Sequence, residues 1–128
     1  MKTKIIIIYI FLLGILFTAC SNHLVGTWNI KKYSTTKTGQ ASVLLNDIGT
    51  ITFYKDGNGE KNLNYILSGE IKRDSLPFKW AITDKYIRID SKGSVFAKTW
   101  VLMDTKKEFQ KWETTDGSDL LEVLEFQK

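Results

Sequence analysis

Residue types that could support covalent chemistry are scarce in this 128-residue chain. It contains one cysteine, Cys20, and one histidine, His23, so a Cys–His or Ser–His pair cannot form beyond position 23. The Gly-x-Ser-x-Gly sequence that exposes a serine nucleophile is also missing. Two carboxylates could act as acid and base, but we interpret the acidic residues at predicted turns as solvated charges: Asp56, Asp84, Asp104 and Asp116. We therefore expect no catalytic residues and no enzyme activity.

A metal site is not expected either. The only histidine has no second histidine or cysteine to join it as a ligand, so we interpret it as a solvated residue. Asp56, Asn58 and Glu60 have the spacing of a calcium loop, which requires glycine at its sixth position and glutamate at its twelfth. Lys61 and Leu67 stand at those positions. We predict a turn here, with no metal or cofactor.

The N-terminal segment has the pattern of an export signal. Met1–Lys4 is cationic, and Ile5–Phe17 is an apolar run of 13 residues. A helix that crosses a bilayer needs about 20 apolar residues, whereas a signal peptide has a shorter core followed by small residues. Thr18 and Ala19 are such residues. We predict that residues 1–19 are a cleaved signal peptide; the alternatives are an uncleaved membrane anchor and a buried helix.

Leu16-Phe17-Thr18-Ala19-Cys20 resembles a lipobox, the processing site of bacterial lipoproteins, with Phe17 in place of the commoner leucine. The resemblance implies a diacylglycerol thioether on Cys20, cleavage before it, and a membrane partner reached through acyl chains such as palmitate. Each buried methylene contributes about 0.8 kcal/mol, so two or more chains hold a domain on a bilayer. Residues 20–23 then form a short tether. Ser21 and the absence of acidic residues just after Cys20 resemble the pattern found in outer-membrane lipoproteins that face the periplasm.

The composition after the leader is typical of one small folded domain. Removing the 19 leader residues leaves 109, with 16 basic and 14 acidic side chains, a net charge of +2 and the two signs interspersed. A nucleic-acid-binding face would need clustered basic residues, so we expect no nucleic acid partner. Thirteen aromatic residues supply ample bulk for a core.

Alternation of apolar and polar residues predicts about eight strands joined by short turns. Asp56-Gly57-Asn58-Gly59 favours a tight hairpin between the strands that hold Phe53 and Tyr65. The other strands are predicted at residues 24–30, 77–82, 86–90, 95–103, 109–114 and 120–126. A change of phase in the last strand indicates a β-bulge near Val123.

The segment before the hairpin is predicted to be irregular. Residues 34–40 are polar and are interpreted as a loop, and residues 41–48 as a helical turn or a lid over a barrel mouth. Short strands at regular spacing indicate an up-and-down barrel or a sandwich. We therefore expect residues 24–128 to form one all-β domain, a small antiparallel β-barrel.

Two motifs carry a resemblance to lipocalins. Gly26-Thr27-Trp28 on the first strand is similar to their Gly-x-Trp signature, and the stretch 53–59 resembles the second hairpin of small lipocalin-like domains found in many Bacteroidota lipoproteins. The resemblance implies that Trp28 plugs the closed end of a barrel. The chain departs from larger lipocalins in its length, in lacking disulfides, and in lacking the late arginine that covers the first-strand tryptophan.

Binding is the function class that this fold favours. An eight-stranded barrel is filled by side chains or holds one small ligand. We predict a small, largely apolar ligand, admitted under residues 34–48, with these inward candidates: Trp28, Phe53, Tyr65, Trp80 and Ile89. The alternative is an interaction or inhibitor module with a filled barrel, which grips an envelope protein partner through exposed aromatics: Tyr33, Tyr54 and Tyr86.

Overall fold

A computed structural model describes residues 23–114 and 119–128 of the chain. Runs of alternating inward and outward residues form its strands. The strands are β1 (Gly26–Lys37), β2 (Val43–Phe53), β3 (Asn58–Leu67), β4 (Glu70–Asp74), β5 (Phe78–Ile82), β6 (Tyr86–Asp90), β7 (Thr99–Thr105), β8 (Phe109–Thr114) and β9 (Leu120–Gln127). Within these two segments, no helix is long and apolar enough to cross a membrane.

The strands close into one antiparallel barrel. Their order is β2-β1-β9-β8-β7-β6-β5-β3, and β2 also pairs with β3, which completes the ring. β4 and β5 pair with the same side of β3 in one register, since Leu63 lies opposite Asp74 and Gly59 opposite Phe78. They therefore form one wall position that is interrupted at residues 75–77, and the ring has eight wall positions. The prediction of an antiparallel up-and-down barrel of about eight strands is confirmed.

The connections alternate between the two ends of the barrel. The closed end carries three short turns, at residues 54–57, 83–85 and 106–108. Among the connections that the structure describes in full, those at the open end are two turns and a longer loop, at residues 38–42, 68–69 and 91–98. Because β1 runs from the closed end towards the open end, the segment that begins at His23 joins the barrel at its closed end.

Inward positions on the strands build a single core. Eighteen buried apolar residues form one cluster in the part of the chain that the structure describes. The predicted inward faces are confirmed on β5, where Phe78 and Trp80 are buried, and on β6, where Ile87 and Ile89 are buried. The hairpin predicted around Asp56-Gly57 is also present, as the turn between β2 and β3.

The prediction for residues 34–48 is wrong. β1 continues to Lys37 and β2 begins at Val43, so two paired strands and a turn at 38–42 replace the loop and the lid. Thr35 lies opposite Val43, and β-branched residues favour the extended backbone even where the stretch is polar. This segment is barrel wall, and the long connection at the open end is the loop 91–98 instead.

Two predictions about the later strands are also wrong. The strand predicted at 95–103 begins only at Thr99, and β9 keeps a continuous register with β8, without a bulge near Val123. The change of phase was misleading because Glu122, a charged residue, occupies an inward position. A bulge lies instead in β1 at Lys31, where the register with both neighbouring strands shifts.

Gly49 is expected to be the least replaceable glycine of the wall. Its φ is +139°, and a Cβ atom there would collide with the carbonyl oxygen of Asn62 on β3. Gly49→Ala should therefore lower the free energy of unfolding by about 3 kcal/mol or more, measured by chemical denaturation. The control is Gly39→Ala, where φ is +80° and no atom lies within 4 Å, so only backbone strain of about 1 kcal/mol applies. Equal losses in the two variants would contradict the prediction.

Candidate ligand site

All five residues predicted to face the interior are buried, but they do not form one site. Trp28 lies at the closed end, and the rings of Phe53 and Trp80 contact each other with centroids 5.6 Å apart. Tyr65 belongs to a different group of rings near the open end. Ile89 is buried on β6. The five residues are spread along the length of the core.

The closed end is sealed around Trp28. Its indole Nε1 donates a 2.8 Å hydrogen bond to the carbonyl oxygen of Leu24. Lys128 Nζ lies 5.1 Å from the centroid of the Trp28 ring and donates to the Val25 carbonyl oxygen at 3.1 Å. A cation over an indole face is attracted by the ring quadrupole. Lys128 therefore covers the first-strand tryptophan, in the role that the late arginine has in the larger lipocalins.

Aromatic rings fill the barrel above Trp28. Phe53 contacts three neighbouring rings with centroids 5.3–5.9 Å apart, those of Phe78, Trp80 and Trp112. Trp112 in turn packs on Phe126 at 4.3 Å and on Trp100 at 6.4 Å. Such edge and tilted contacts add to the stabilisation from burial. This half of the interior is core.

A second aromatic group lies towards the open end. Phe96, which comes from the loop 91–98, packs against Tyr33 at 5.0 Å and Tyr65 at 6.2 Å, and the two tyrosines lie 6.0 Å apart. Phe96 is only 3% exposed although it belongs to a loop. The loop therefore inserts one side chain into the open end of the barrel.

A buried ion pair accompanies this group. Lys98 Nζ lies 3.0 and 3.1 Å from the two carboxylate oxygens of Glu122, whose side chain is 6% exposed. Burial raises the pKa of the Tyr33 hydroxyl, and the Glu122 carboxylate adds to that shift. Burial also raises the pKa of Tyr65, with further contributions from Asp74 and Glu122. The open end thus combines aromatic surface with a carboxylate, an ammonium and neutral phenols.

A second ion pair fastens the loop. Lys61 Nζ lies 3.3 Å from Asp74 Oδ1 and donates to the Ser91 hydroxyl and the Leu76 carbonyl oxygen, both at 2.9 Å. The Ser94 hydroxyl donates to Asp74 Oδ2 at 2.6 Å. Burial lowers the pKa of Lys61, and the Asp74 carboxylate opposes that shift. Side-chain contacts of the loop's two serines therefore hold it to the wall.

The remaining site predictions have mixed outcomes. Tyr33 was expected on the surface and is buried, because the bulge at Lys31 changes which residues of β1 face inward. Tyr54 and Tyr86 are exposed as expected. No group of three metal-ligating side chains occurs in the described segments. Cys20 and the leader lie outside the described residues.

Comparison with known families agrees with this architecture. Residues 24–111 match the family model of the lipocalin-like domain. The match covers more than half of the chain, so the protein belongs to the lipocalin-like domain family. None of the curated proteins matches the chain significantly.

Removing one partner of the Lys98–Glu122 pair is expected to lower the free energy of unfolding. Replacing both partners by apolar residues is expected to change it little. Glu122→Leu alone should destabilise the fold by about 3 kcal/mol, because the ammonium loses its carboxylate in a site with little water. Lys98→Met/Glu122→Leu should recover most of that loss, since an apolar replacement of a whole buried pair is often neutral.

Chemical denaturation of Glu122→Leu, Lys98→Met and the double variant measures the coupling free energy between the two side chains. The control is the exposed pair Glu70–Lys72 on β4, where Glu70→Leu and Lys72→Met should couple much more weakly, because solvent screens an exposed pair. Similar coupling in both cycles would contradict the assignment of Glu122 to a buried site.

Stability is expected to fall at alkaline pH through Tyr33. Its pKa is raised in the folded state, so above the ordinary tyrosine pKa of about 10 the unfolded chain loses a proton that the folded chain keeps. The free energy of unfolding should therefore decrease above that pH. Below it, the contribution of Tyr33 to stability is fully present. Tyr33→Phe should flatten the decrease in denaturation curves recorded between neutral and alkaline pH. Tyr86→Phe, at an exposed position, should follow the wild-type curve.

Proposed function

We propose that this protein is a lipid-anchored, non-catalytic binding module of the cell envelope. Its ligand is a small, largely apolar molecule with one polar group, held at the open end of the barrel. The apolar part takes the place of the Phe96 ring between Tyr33 and Tyr65. The polar group interacts with Glu122 and Lys98.

The buried Lys98–Glu122 pair is the observation that carries this proposal. Removing two charges from water costs several kcal/mol, and well-packed apolar residues usually serve stability equally well. Here the pair is placed inside the barrel beside neutral tyrosines, under a loop, rather than at the surface. A few polar groups converging on an aromatic surface are typical of a small-molecule site.

Access to the site would require movement of the loop 91–98. Within it, backbone hydrogen bonds run from Ser94 N to Ser91 O and from Ala97 N to Ser94 O, as in short turns. Its links to the wall include the serine contacts to Lys61 and Asp74. Opening therefore exchanges a small number of polar contacts and one aromatic ring for contacts with the ligand.

The anchor follows from the lipobox-like sequence that ends at Cys20. Acyl chains on this residue would hold the protein on a membrane, which we place at the outer membrane with the domain facing the periplasm. His23 joins the barrel at the closed end, only three residues after Cys20. The open end then faces away from the bilayer, towards the surrounding solution.

A second candidate function is binding of an envelope protein. Ile66 and Ile71 lie opposite each other on the β3–β4 hairpin, and they are 62% and 68% exposed. Among the described strands, β4 pairs only with β3. An exposed apolar pair beside an unpaired edge fits addition of a partner strand.

Native mass spectrometry of the mature protein, extracted from its own envelope in mild detergent, tests the first candidate. We expect a noncovalent added mass that is lost on gentle activation, and a covalent acyl mass on Cys20 that survives it. Glu122→Gln should reduce the occupied fraction about tenfold, because a charged hydrogen-bond partner is lost. Glu108→Gln, in an exposed turn at the closed end, should retain the adduct.

The two masses separate the two parts of the proposal. An acylated protein without any adduct would contradict the proposed ligand and support the anchor. Cross-linking through the β3–β4 hairpin would then test the protein partner. An adduct on a protein without acyl mass would support the ligand and contradict the anchor.

A further inference from the structure

A groove of about 820 Å³ lies beside β5, β6 and the start of β7 and borders the site under Phe96 at Lys98. It is lined by Asn58 and by three short segments, at residues 77–79, 88–92 and 97–99. Strand pairing holds these segments together, since Lys79 lies opposite Asp90 and Arg88 opposite Thr99. The groove therefore consists of paired strand residues on β5, β6 and β7 and of the two ends of the loop 91–98.

Positive charge is concentrated in this groove. Four of its lining residues are cationic, namely Lys79, Arg88, Lys92 and Lys98, and only Asp90 is acidic. The chain after the predicted leader is almost balanced, with 16 basic and 14 acidic residues. An excess of this kind in a concave surface attracts anions more strongly than the same charges scattered over the domain.

Two of these cations are available to a ligand. Asp90 lies opposite Lys79 but makes its ion pair with Arg88, whose Nε is 3.1 Å from Asp90 Oδ1. Lys98 binds Glu122. Among the described residues, Lys79 and Lys92 take part in no ion pair. The Arg88 contact uses Nε, which leaves both terminal nitrogens of the guanidinium to donate.

The groove has a small apolar part. Exposed Pro77 and half-buried Ala97 supply apolar surface to it, whereas the side chains of Phe78 and Ile89 belong to the barrel core. Lysine and arginine place a charged head above an apolar stem. A molecule that fits this groove would have an apolar body of limited size and an oxyanion at one end.

The geometry points to a second binding site in this groove, specific for a small amphiphilic oxyanion such as a carboxylate or phosphate monoester. Lys79, Lys92 and the free edge of Arg88 bind the anion, and Pro77, Ala97 and the apolar stems of the lysines accept the body. The inference does not depend on the ligand proposed for the barrel interior. Lys98 borders both sites, but the exposed side chains of Lys79, Arg88 and Lys92 belong to the groove alone. A lipid headgroup presents the same chemistry as a free amphiphile, so the test includes both.

Titration of the ¹⁵N-labelled chain from Ser21 to Lys128, which contains all nine strands and the core, tests the site by NMR. Octanoate is expected to shift the backbone amides of residues 78–79, 88–92 and 97–99 with saturation at roughly millimolar concentration. Octanol, which has the same chain without the charge, should bind at least tenfold more weakly. Lys79→Glu/Lys92→Glu should abolish saturation.

The matched control is Lys37→Glu/Lys55→Glu, which makes the same change of charge at exposed lysines outside the groove. It should retain octanoate binding within a factor of about two. Sedimentation with phosphatidylglycerol vesicles forms the second arm. Vesicle binding that disappears only in Lys79→Glu/Lys92→Glu, without octanoate binding, would assign the same site to a lipid headgroup.

Three results would overturn the inference. The first is equal weakening in the two double variants, which indicates net charge alone. The second is an octanoate response at the amides of Tyr33, Tyr65 and Phe96 rather than at the groove, which indicates the barrel interior. The third is no saturable response to octanoate below about 10 mM together with no vesicle binding.

Discussion

Closure of the sheet into a ring is the constraint on which the other features depend. β1 pairs with β2 and β9, and β2 pairs with β3, so the eight wall positions leave alternate side chains pointing into a narrow space. Large rings fill that space only where small residues make room. Gly59 is the clearest case, since a Cβ atom there would collide with the ring of Phe78 on the adjacent strand. Backbone pairing and core packing therefore determine each other.

The interior is divided between two kinds of interaction. At the closed end, Trp28, its Lys128 cover and the rings around Phe53 exclude water and supply burial. Towards the open end, Lys98–Glu122 and Lys61–Asp74 place charges inside the wall. Buried ion pairs are weak contributors to stability. The apolar half thus supports the fold, while the polar half supplies the charged groups of the proposed ligand site.

The sequence was informative where local and global signals agree. Asp56-Gly57 requires a tight turn, and alternation around Trp80 and Ile89 is unbroken, so these strands and their inward faces could be predicted. It was misleading where a residue's environment comes from distant partners. Glu122 is inward because it shares the face of Leu124 and Phe126 on β9, where Lys98 compensates its charge, and Tyr33 is inward because of the bulge at Lys31.

Other features had weak local signals or none. Residues 34–37 resemble a loop by composition and become wall because β2 pairs with Ser34 and Thr35 and β9 pairs with the whole stretch. Lys128 could have been noticed as a late cation, but only the register of β9 with β1 brings it over Trp28. The groove beside β5 and β6 combines segments that are far apart in the chain, so no local pattern announces it.

The attachment of the loop 91–98 has a consequence for how this domain can evolve. Ser91 and Ser94 fasten the loop through side chains, outside the continuous ladder of the ring. Substitutions at Phe96 and its neighbours can then reshape the proposed ligand site while the wall keeps its register. The residues that would shape the proposed ligand site and the residues that maintain the barrel therefore lie in different parts of the chain.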